Sequence, residues 1–184
     1  MEIRAADVAD APAICDLYAP YVTDAVASFE ATPPDAAEMA RRMLVEPRLP
    51  WLLAERDGTP VGYAYASHHH TRAAYRWSVD TSVYLADTER GRGTGRALYE
   101  SLLPELRGLG YVAACAGVTL PNAASVGLHE ALGFEPVGVY PRIGFKHGQW
   151  YDVGWWQLHL ADRAPTPTEP EPWTPERRRD GSGG

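Results

Sequence analysis

The sequence predicts a mixed α/β domain. Three observations carry that class. Two apolar runs flank Asp57-Gly58 as the arms of a hairpin would, and helical and alternating patterns succeed one another from residue 1 to about 160. Between Val83 and Leu103, "VYLADTERGRGTGRALYESLL" runs from an apolar strand through a glycine turn into a helix. At 184 residues the chain is one domain of ordinary size, long enough to bury a real core.

The elements follow in order. Ile3–Ala5 is a short first strand. Asp7 caps a helix with Asp10 at its third position, a capping-box-like start, and the helix continues to about Thr23. A second helix follows Pro34-Asp35, with Glu38 placed to complete another box, and ends near Val45. Trp51–Ser67 holds the hairpin, whose loop is read as extending to Thr59-Pro60. Arg76–Leu85 alternates as a strand: Ser78, Asp80, Ser82 and Tyr84 share one face, Trp77, Val79, Thr81 and Val83 the other. Beyond the glycine turn, Leu98, Leu102, Leu106 and Leu109 form one stripe of a helix that Pro104 should bend. Tyr111–Val118 is a buried strand; Asn122 caps another helix, which Gly133 closes. Phe134–Tyr140 and Trp150–Leu160 are the last strands.

The end of the chain is different. Pro165, Pro167, Pro170, Pro172 and Pro175 crowd a polar stretch that forms neither helix nor sheet and buries little. The folded domain is therefore expected to span residues 1–160, and 161–184 to be an extended or disordered tail. Arg177-Arg178-Arg179 reads there as a solvated charge run rather than a docking patch.

A net charge of −7 argues against a general nucleic-acid binder. Cys15 and Cys115 match no metal or redox spacing and read as free thiols in a reducing compartment. The N-terminus lacks a basic segment followed by an apolar one, and no apolar run approaches the roughly 20 residues that span a bilayer. The expectation is a soluble cytoplasmic protein without a membrane or nucleic-acid partner.

A glycine turn between strand and helix is a physical anion site, because its amides and the helix dipole face the ligand. Two nucleotide patterns fail: Arg96 occupies the third glycine's place in G-x-G-x-x-G, and no lysine completes G-x-x-x-x-G-K-[ST]. What remains is Arg90-x-x-Gly93-x-Gly95 after "SVYL". That pattern resembles the pyrophosphate loop with which GNAT N-acetyltransferases hold acetyl-CoA. "TLPNAASVGLHEALGF" is similar to the second half of the same signature. "WLLAERDGTPVGYAYAS", "RAAYRWSVDTSVYL" and "GFKHGQWYDVGWWQL" resemble the subgroup acting on phosphinothricin and on methionine sulfoximine and sulfone. The resemblance runs from about Ile3 to Leu160 and is strongest from Trp51 onward. It implies a mostly antiparallel sheet splayed in the middle, helices on both faces, acetyl-CoA in the gap, no metal, a small amine acceptor and a homodimer.

Acetyl transfer to an amine needs a proton acceptor, a held thioester, a stabilised oxyanion and a proton for the leaving thiolate. Backbone groups of Val83, Tyr84 and Leu85 suit the second and third tasks, as a strand edge that takes an added strand. Arg90, Gly91, Arg92, Gly93, Thr94, Gly95 and Arg96 would cradle the pyrophosphate, with Asn122 and Ser125 on the cofactor side of the next helix. Asp80 stands where the resembled enzymes usually carry glutamate as general base. Being one methylene shorter, it points to a water relay, with a purely structural acid as the competing reading. His129 shares a helix face with Asn122 and Ser125. The subgroup has histidine here, where many GNAT enzymes place the tyrosine that protonates the coenzyme A thiolate; simple contact with the cofactor is the competing reading. Arg72 and Tyr75 follow the third strand, where relatives form the acceptor pocket, and an arginine takes a carboxylate in bidentate fashion. Lys146, His147 and Trp150 are placed at the acceptor mouth or a dimer contact. His68-His69-His70 are adjacent and diverge, without an H-E-x-x-H partner spacing, so no metal is expected there. The rival readings are a GNAT enzyme for another amine, small or protein-borne, and a non-catalytic acyl-CoA sensor.

Overall fold

The computed structural model describes residues 1–175. Along the chain it contains β1 (Glu2–Ala5), α1 (Ala11–Thr23), α2 (Ala36–Met43), β2 (Trp51–Arg56), β3 (Thr59–His68), β4 (Ser78–Leu85), α3 (Thr94–Gly108), β5 (Ala113–Leu120), α4 (Ala123–Ala131), β6 (Glu135–Lys146) and β7 (Gln149–His159). Short 3-10 turns occupy Val8–Asp10, Ala73–Tyr75 and Asp87–Glu89.

Local chemistry sets most of these bounds. The Asp7–Asp10 box forms, with Asp7 accepting from Ala9 N–H and Asp10 from Asp7 N–H, and it opens a 3-10 turn that leads into α1. At α2 only half a box exists. Asp35 accepts from Glu38 N–H at 2.8 Å, but the Glu38 carboxylate turns to Arg41 and Arg42 on the exposed side. The first hairpin is tighter than expected: Asp57 (φ 53°) and Gly58 (φ 77°) alone make the turn, and Thr59 and Pro60 already pair with Arg56 and Glu55. A second such hairpin joins β6 to β7 through His147 (φ 47°) and Gly148 (φ 78°), so β6 reaches Lys146 rather than stopping at Tyr140.

The sheet order is β1-β2-β3-β4-β5-β7-β6. Every neighbouring pair is antiparallel except β4 and β5, which run parallel. One face packs on α3, whose Leu98, Leu102 and Leu106 are fully buried with Leu109 beside them, and on α4. Burying each such leucine stabilises the fold by about 1.5–3 kcal/mol. α3 continues through Pro104 to Gly108. The other face packs on α1 and α2 around Ile14, Met39, Trp51 and Tyr63.

The tail requires a correction. Residues 161–175 form no helix or strand, yet they are bound to the domain. Trp173 is 2% exposed, its indole N–H donates to Glu105 at 2.7 Å, and its amide donates to Arg48 O at 2.9 Å. Glu171 N–H donates to Leu109 O, Trp77 Nε1 donates to Thr168 O, and Arg76 pairs with Glu169. The prolines removed helix and ladder from this segment without removing its one large aromatic, and burial of that ring holds the rest. Arg177-Arg178-Arg179 lie outside the described residues. Among those described, no helix is long and apolar enough to cross a membrane.

Candidate active site

The site begins where β4 and β5 part. Their register holds only for Ser78, Asp80 and the residue between, opposite Ala113–Cys115. Beyond it, among the described residues, Thr81–Leu85 pairs only with β3, and Ala116–Leu120 only with β7. Ala86 N–H donates to Val61 O, which fixes the phase of the β3–β4 ladder. By alternation the backbone groups of Ser82 and Tyr84 turn toward β3, while those of Thr81, Val83 and Leu85 face the gap. Leu85 is engaged on both groups by the Tyr21 hydroxyl, at 3.1 Å from its N–H and 2.7 Å from its carbonyl. Val83 therefore presents the central backbone of the gap. Tyr84 contributes its ring instead, edge-on to Tyr18 and Tyr21 at 4.8 and 4.9 Å, which corrects its place among the backbone donors.

The gap opens into a cleft of about 550 Å³ whose far wall is the glycine turn. Gly91 (φ 73°) and Gly93 (φ 82°) take the left-handed conformation, which any side chain would strain. Gly93 is the N-cap of α3 and no side chain among the described residues caps that end, so the first-turn amides are not consumed from within. Underneath, Glu89 is 2% exposed and anchors the turn. It accepts two bonds from Arg56 at 3.0 and 2.8 Å and one from the Thr94 hydroxyl at 2.6 Å. Those donors, Arg56 first, hold its carboxyl down to about 2. Arg90, Gly91, Gly93, Gly95 and Arg96 line the cleft. Arg92 and Thr94 do not: Arg92 leans on Glu89 and the Thr94 hydroxyl is turned inward to the same acid.

On the α4 wall, Asn122 accepts from Ser125 N–H at 3.0 Å. His129 is 3% exposed. Its Nδ1 lies 2.7 Å from the Ser125 carbonyl, which can only accept, so Nδ1 carries the proton. Nε2 is left to accept from the Tyr99 hydroxyl at 3.0 Å. Burial lowers the His129 pKa against the smaller opposing effect of the Ser125 carbonyl, and burial raises the Tyr99 phenol, so both groups are neutral near pH 7. Tyr99 went unnoticed in the sequence because it sits inside a leucine stripe.

Asp80 lies on the opposite face of the sheet, the face that carries Tyr84 and α1. Its Oδ1 is 2.7 Å from His69 Nδ1, and burial raises its pKa while the His69 bond opposes the rise. Cys115 stands across the register, its thiol pushed up to about 11 by burial first and Asp80 second. Polar atoms of His69, Asp80 and Cys115 all lie within 4.8 Å of one another. The histidine run does diverge: His68 bonds to Pro47 O, His70 packs on Tyr75, and only His69 reaches Asp80. Trp155 lies flat over Gly117, with its Nε1 buried and unpartnered among the described residues.

Residues 3–155 match the acetyltransferase (GNAT) domain family. The chain belongs to the GNAT acetyltransferases. It is 38% identical to a phosphinothricin N-acetyltransferase of Streptomyces viridochromogenes, over 90% of this chain and 91% of that one. It is 34% identical to an L-methionine sulfoximine/L-methionine sulfone acetyltransferase of Salmonella typhimurium, over 89% and 97%. The crystal structure of a GNAT superfamily phosphinothricin acetyltransferase from Sinorhizobium meliloti in complex with acetyl-CoA superposes with a TM-score of 0.86 at 39% identity, covering 91% and 93%.

As a GNAT enzyme the protein is an acetyl-CoA-dependent N-acetyltransferase. Arg72 and Tyr75 bracket the 3-10 turn beside His69 and His70, with Tyr75 41% exposed. Lys146 is placed differently from expectation. Its ammonium donates to Ser28 O at 2.6 Å and Tyr21 O at 3.4 Å, so it clasps the β6–β7 hairpin to the loop after α1. With those carbonyls as partners it is not held out to an acceptor.

Proposed function

We propose that this GNAT enzyme acetylates the amino group of a small amino-acid-like acceptor of the phosphinothricin or methionine sulfoximine/sulfone type, by direct attack on acetyl-CoA. One observation carries the reading: the gap between β4 and β5 has an acid–base group on one face and bare amides on the other. Two ligands can then meet in it from opposite sides without sharing a pocket.

The residues fit acetyl-CoA. The amides of Gly91, Gly93 and Gly95 and the uncapped start of α3 suit a pyrophosphate, Arg90 and Arg96 add positive charge, and Val83 suits the amides of a pantetheine arm. Bound there, acetyl-CoA supplies an activated thioester. His129 and Tyr99, with Asn122 and Ser125 before them, form the polar wall that would face its sulfur end. On the acceptor face, Arg72 is exposed and its guanidinium makes no hydrogen bond or ion pair among the described residues, which leaves it for a carboxylate. Tyr75 walls the same opening.

Two finer readings belong here. The protein is a homodimer, for which the long exposed strand β6 is the support. It works in the cytoplasm, in keeping with the two free cysteines Cys15 and Cys115.

A thiol-release screen tests the function. Free amino-acid analogues should release coenzyme A, their methyl esters should show a sharply raised KM, and Arg72→Ala should abolish that preference for the free acid. Equal turnover of acid and ester by the wild type would sink the role of Arg72. Turnover of peptide N-termini alone would move the acceptor to proteins. Acetyl-CoA binding without thiol release on any amine would make the protein a sensor.

A further inference from the structure

The group on the acceptor face is a pair. Ser67 sits opposite Asp80 across β3 and β4, and the chain leaves β3 at His68, so His69 folds back over Asp80. Its Nδ1 meets Oδ1 at 2.7 Å. An ionised carboxylate only accepts, so in the neutral ring Nδ1 carries the proton and Nε2 holds the lone pair. Nε2 has no hydrogen-bond partner among the described residues, and the side chain retains 21% exposure. Tyr75 and Trp155 stand edge-on to the ring, each with its centroid 6.0 Å away. The imidazole is thus fixed on one nitrogen and open on the other.

Asp80 is the shorter acid, and one of its oxygens is covered by the imidazole. Among the other groups facing His69, the Cys115 thiol is held protonated and Tyr75 is a phenol; His70, a second imidazole whose ring lies 4.4 Å away, packs on Tyr75 at 4.7 Å and makes no hydrogen bond to Asp80 among the described residues. Imidazole is the side chain whose ordinary titration range lies nearest neutral pH. A carboxylate behind it can orient the ring and stabilise the imidazolium that forms.

We propose that His69 is the base of this enzyme, with Asp80 as the positioning residue that fixes its tautomer. The proposal rests on the acetyl-transfer reading above. His69 Nε2 takes one proton from the acceptor's ammonium group. The freed nitrogen lone pair forms the C–N bond to the acetyl carbon, and the C–S bond breaks with its electron pair on sulfur. The second proton lost by nitrogen ends on that thiolate, and the imidazolium returns its proton to solvent.

The test uses the full chain with His69→Ala, His69→Gln and Asp80→Asn. We expect His69→Ala to lower kcat/KM by about 10²-fold, the usual scale of general-base loss. Calorimetric affinity for acetyl-CoA should hold in all three variants. Added imidazole should restore part of the His69→Ala rate and do nothing for Asp80→Asn, an outcome that a merely structural histidine would not give. His69→Gln guards against misfolding: it should melt like the wild type and remain as slow as His69→Ala. Nitrogen-15 NMR of the wild type should show the Nδ1–H tautomer at His69, lost in Asp80→Asn. An Nε2–H tautomer, or a His69→Ala rate within twofold of wild type, would overturn the pair while leaving acetyl transfer intact. Loss of wild-type activity to a chelator would overturn it too, assigning His69, Asp80 and Cys115 to a metal. No thiol release from the wild type with any amine would instead remove the acetyl-transfer reading, and the base with it.

Discussion

The Tyr99 hydroxyl donates to His129 Nε2 across 3.0 Å, tying α3 to α4 at the wall of the cleft. With Nδ1 spent on the Ser125 carbonyl, the fold holds this imidazole neutral, and burial sets its pKa below the ordinary value. The sign follows. The unfolded chain gains a proton near pH 6.5 while the folded one resists, so stability is full above that value and declines as pH falls through it toward the folded pKa. We expect the melting temperature to drop from pH 7 to pH 5 more steeply in the wild type than in His129→Gln. Parallel curves by calorimetry would show that the imidazole is not held neutral. Tyr99→Phe leaves Nε2 without a donor and should cost about 1–3 kcal/mol.

Gly95 tests the cofactor wall. A Cβ there would lie 3.4 Å from the side chains of Leu128 and Leu85. Gly95→Val adds two methyl groups beyond that contact, at the first turn of α3 where the amides face the cleft. We expect a folded protein that no longer binds acetyl-CoA. A wild-type-like calorimetric titration would refute the placement of the pyrophosphate.

The edge strand tests assembly. Val137, Val139, Tyr140, Ile143 and Phe145 on β6, with Trp150 on β7, are each more than half exposed. An exposed apolar edge of this length invites a second chain. Light scattering should give a dimer, and Val139→Lys should shift it toward monomer without unfolding it. A wild-type monomer at assay concentration would count against the dimer.

The last prediction concerns Trp173. Truncating a buried aromatic typically costs about 3–5 kcal/mol. Trp173→Ala should lose stability on that scale in urea unfolding, although it lies beyond the last strand. It should also loosen Trp77, whose indole bonds to Thr168 in the same tail. An unchanged urea midpoint would mean that the tail is not docked in solution.

What the sequence disclosed follows the range of the forces involved. Asp57-Gly58, the leucine stripe on α3 and the Asn122 cap are short-range patterns, and each appears where it was read. The glycine turn was legible too, since few residues tolerate the left-handed backbone at Gly91 and Gly93. The support beneath it was not. Glu89 becomes a buried anchor only because β2 brings Arg56 to it from 33 residues away. His69 and Asp80 meet through strand register, and Lys146 meets Ser28 across 118 residues. Such pairs leave no periodic trace. His147-Gly148 was hidden for a simpler reason: histidine at positive φ is no common turn signal.

The parting of β4 and β5 leaves the sheet one strand short at its centre, with strand-edge backbone such as that of Val83 turned into the gap. A bound pantetheine arm that takes those groups becomes part of the fold as well as part of the reaction. Such a ligand stabilises by about 2.7 kcal/mol at a hundred times its dissociation constant. Free coenzyme A carries the same arm. The product should therefore guard the enzyme against heat and proteolysis much as the substrate does, and its durability should follow the total coenzyme pool rather than the acetylated share.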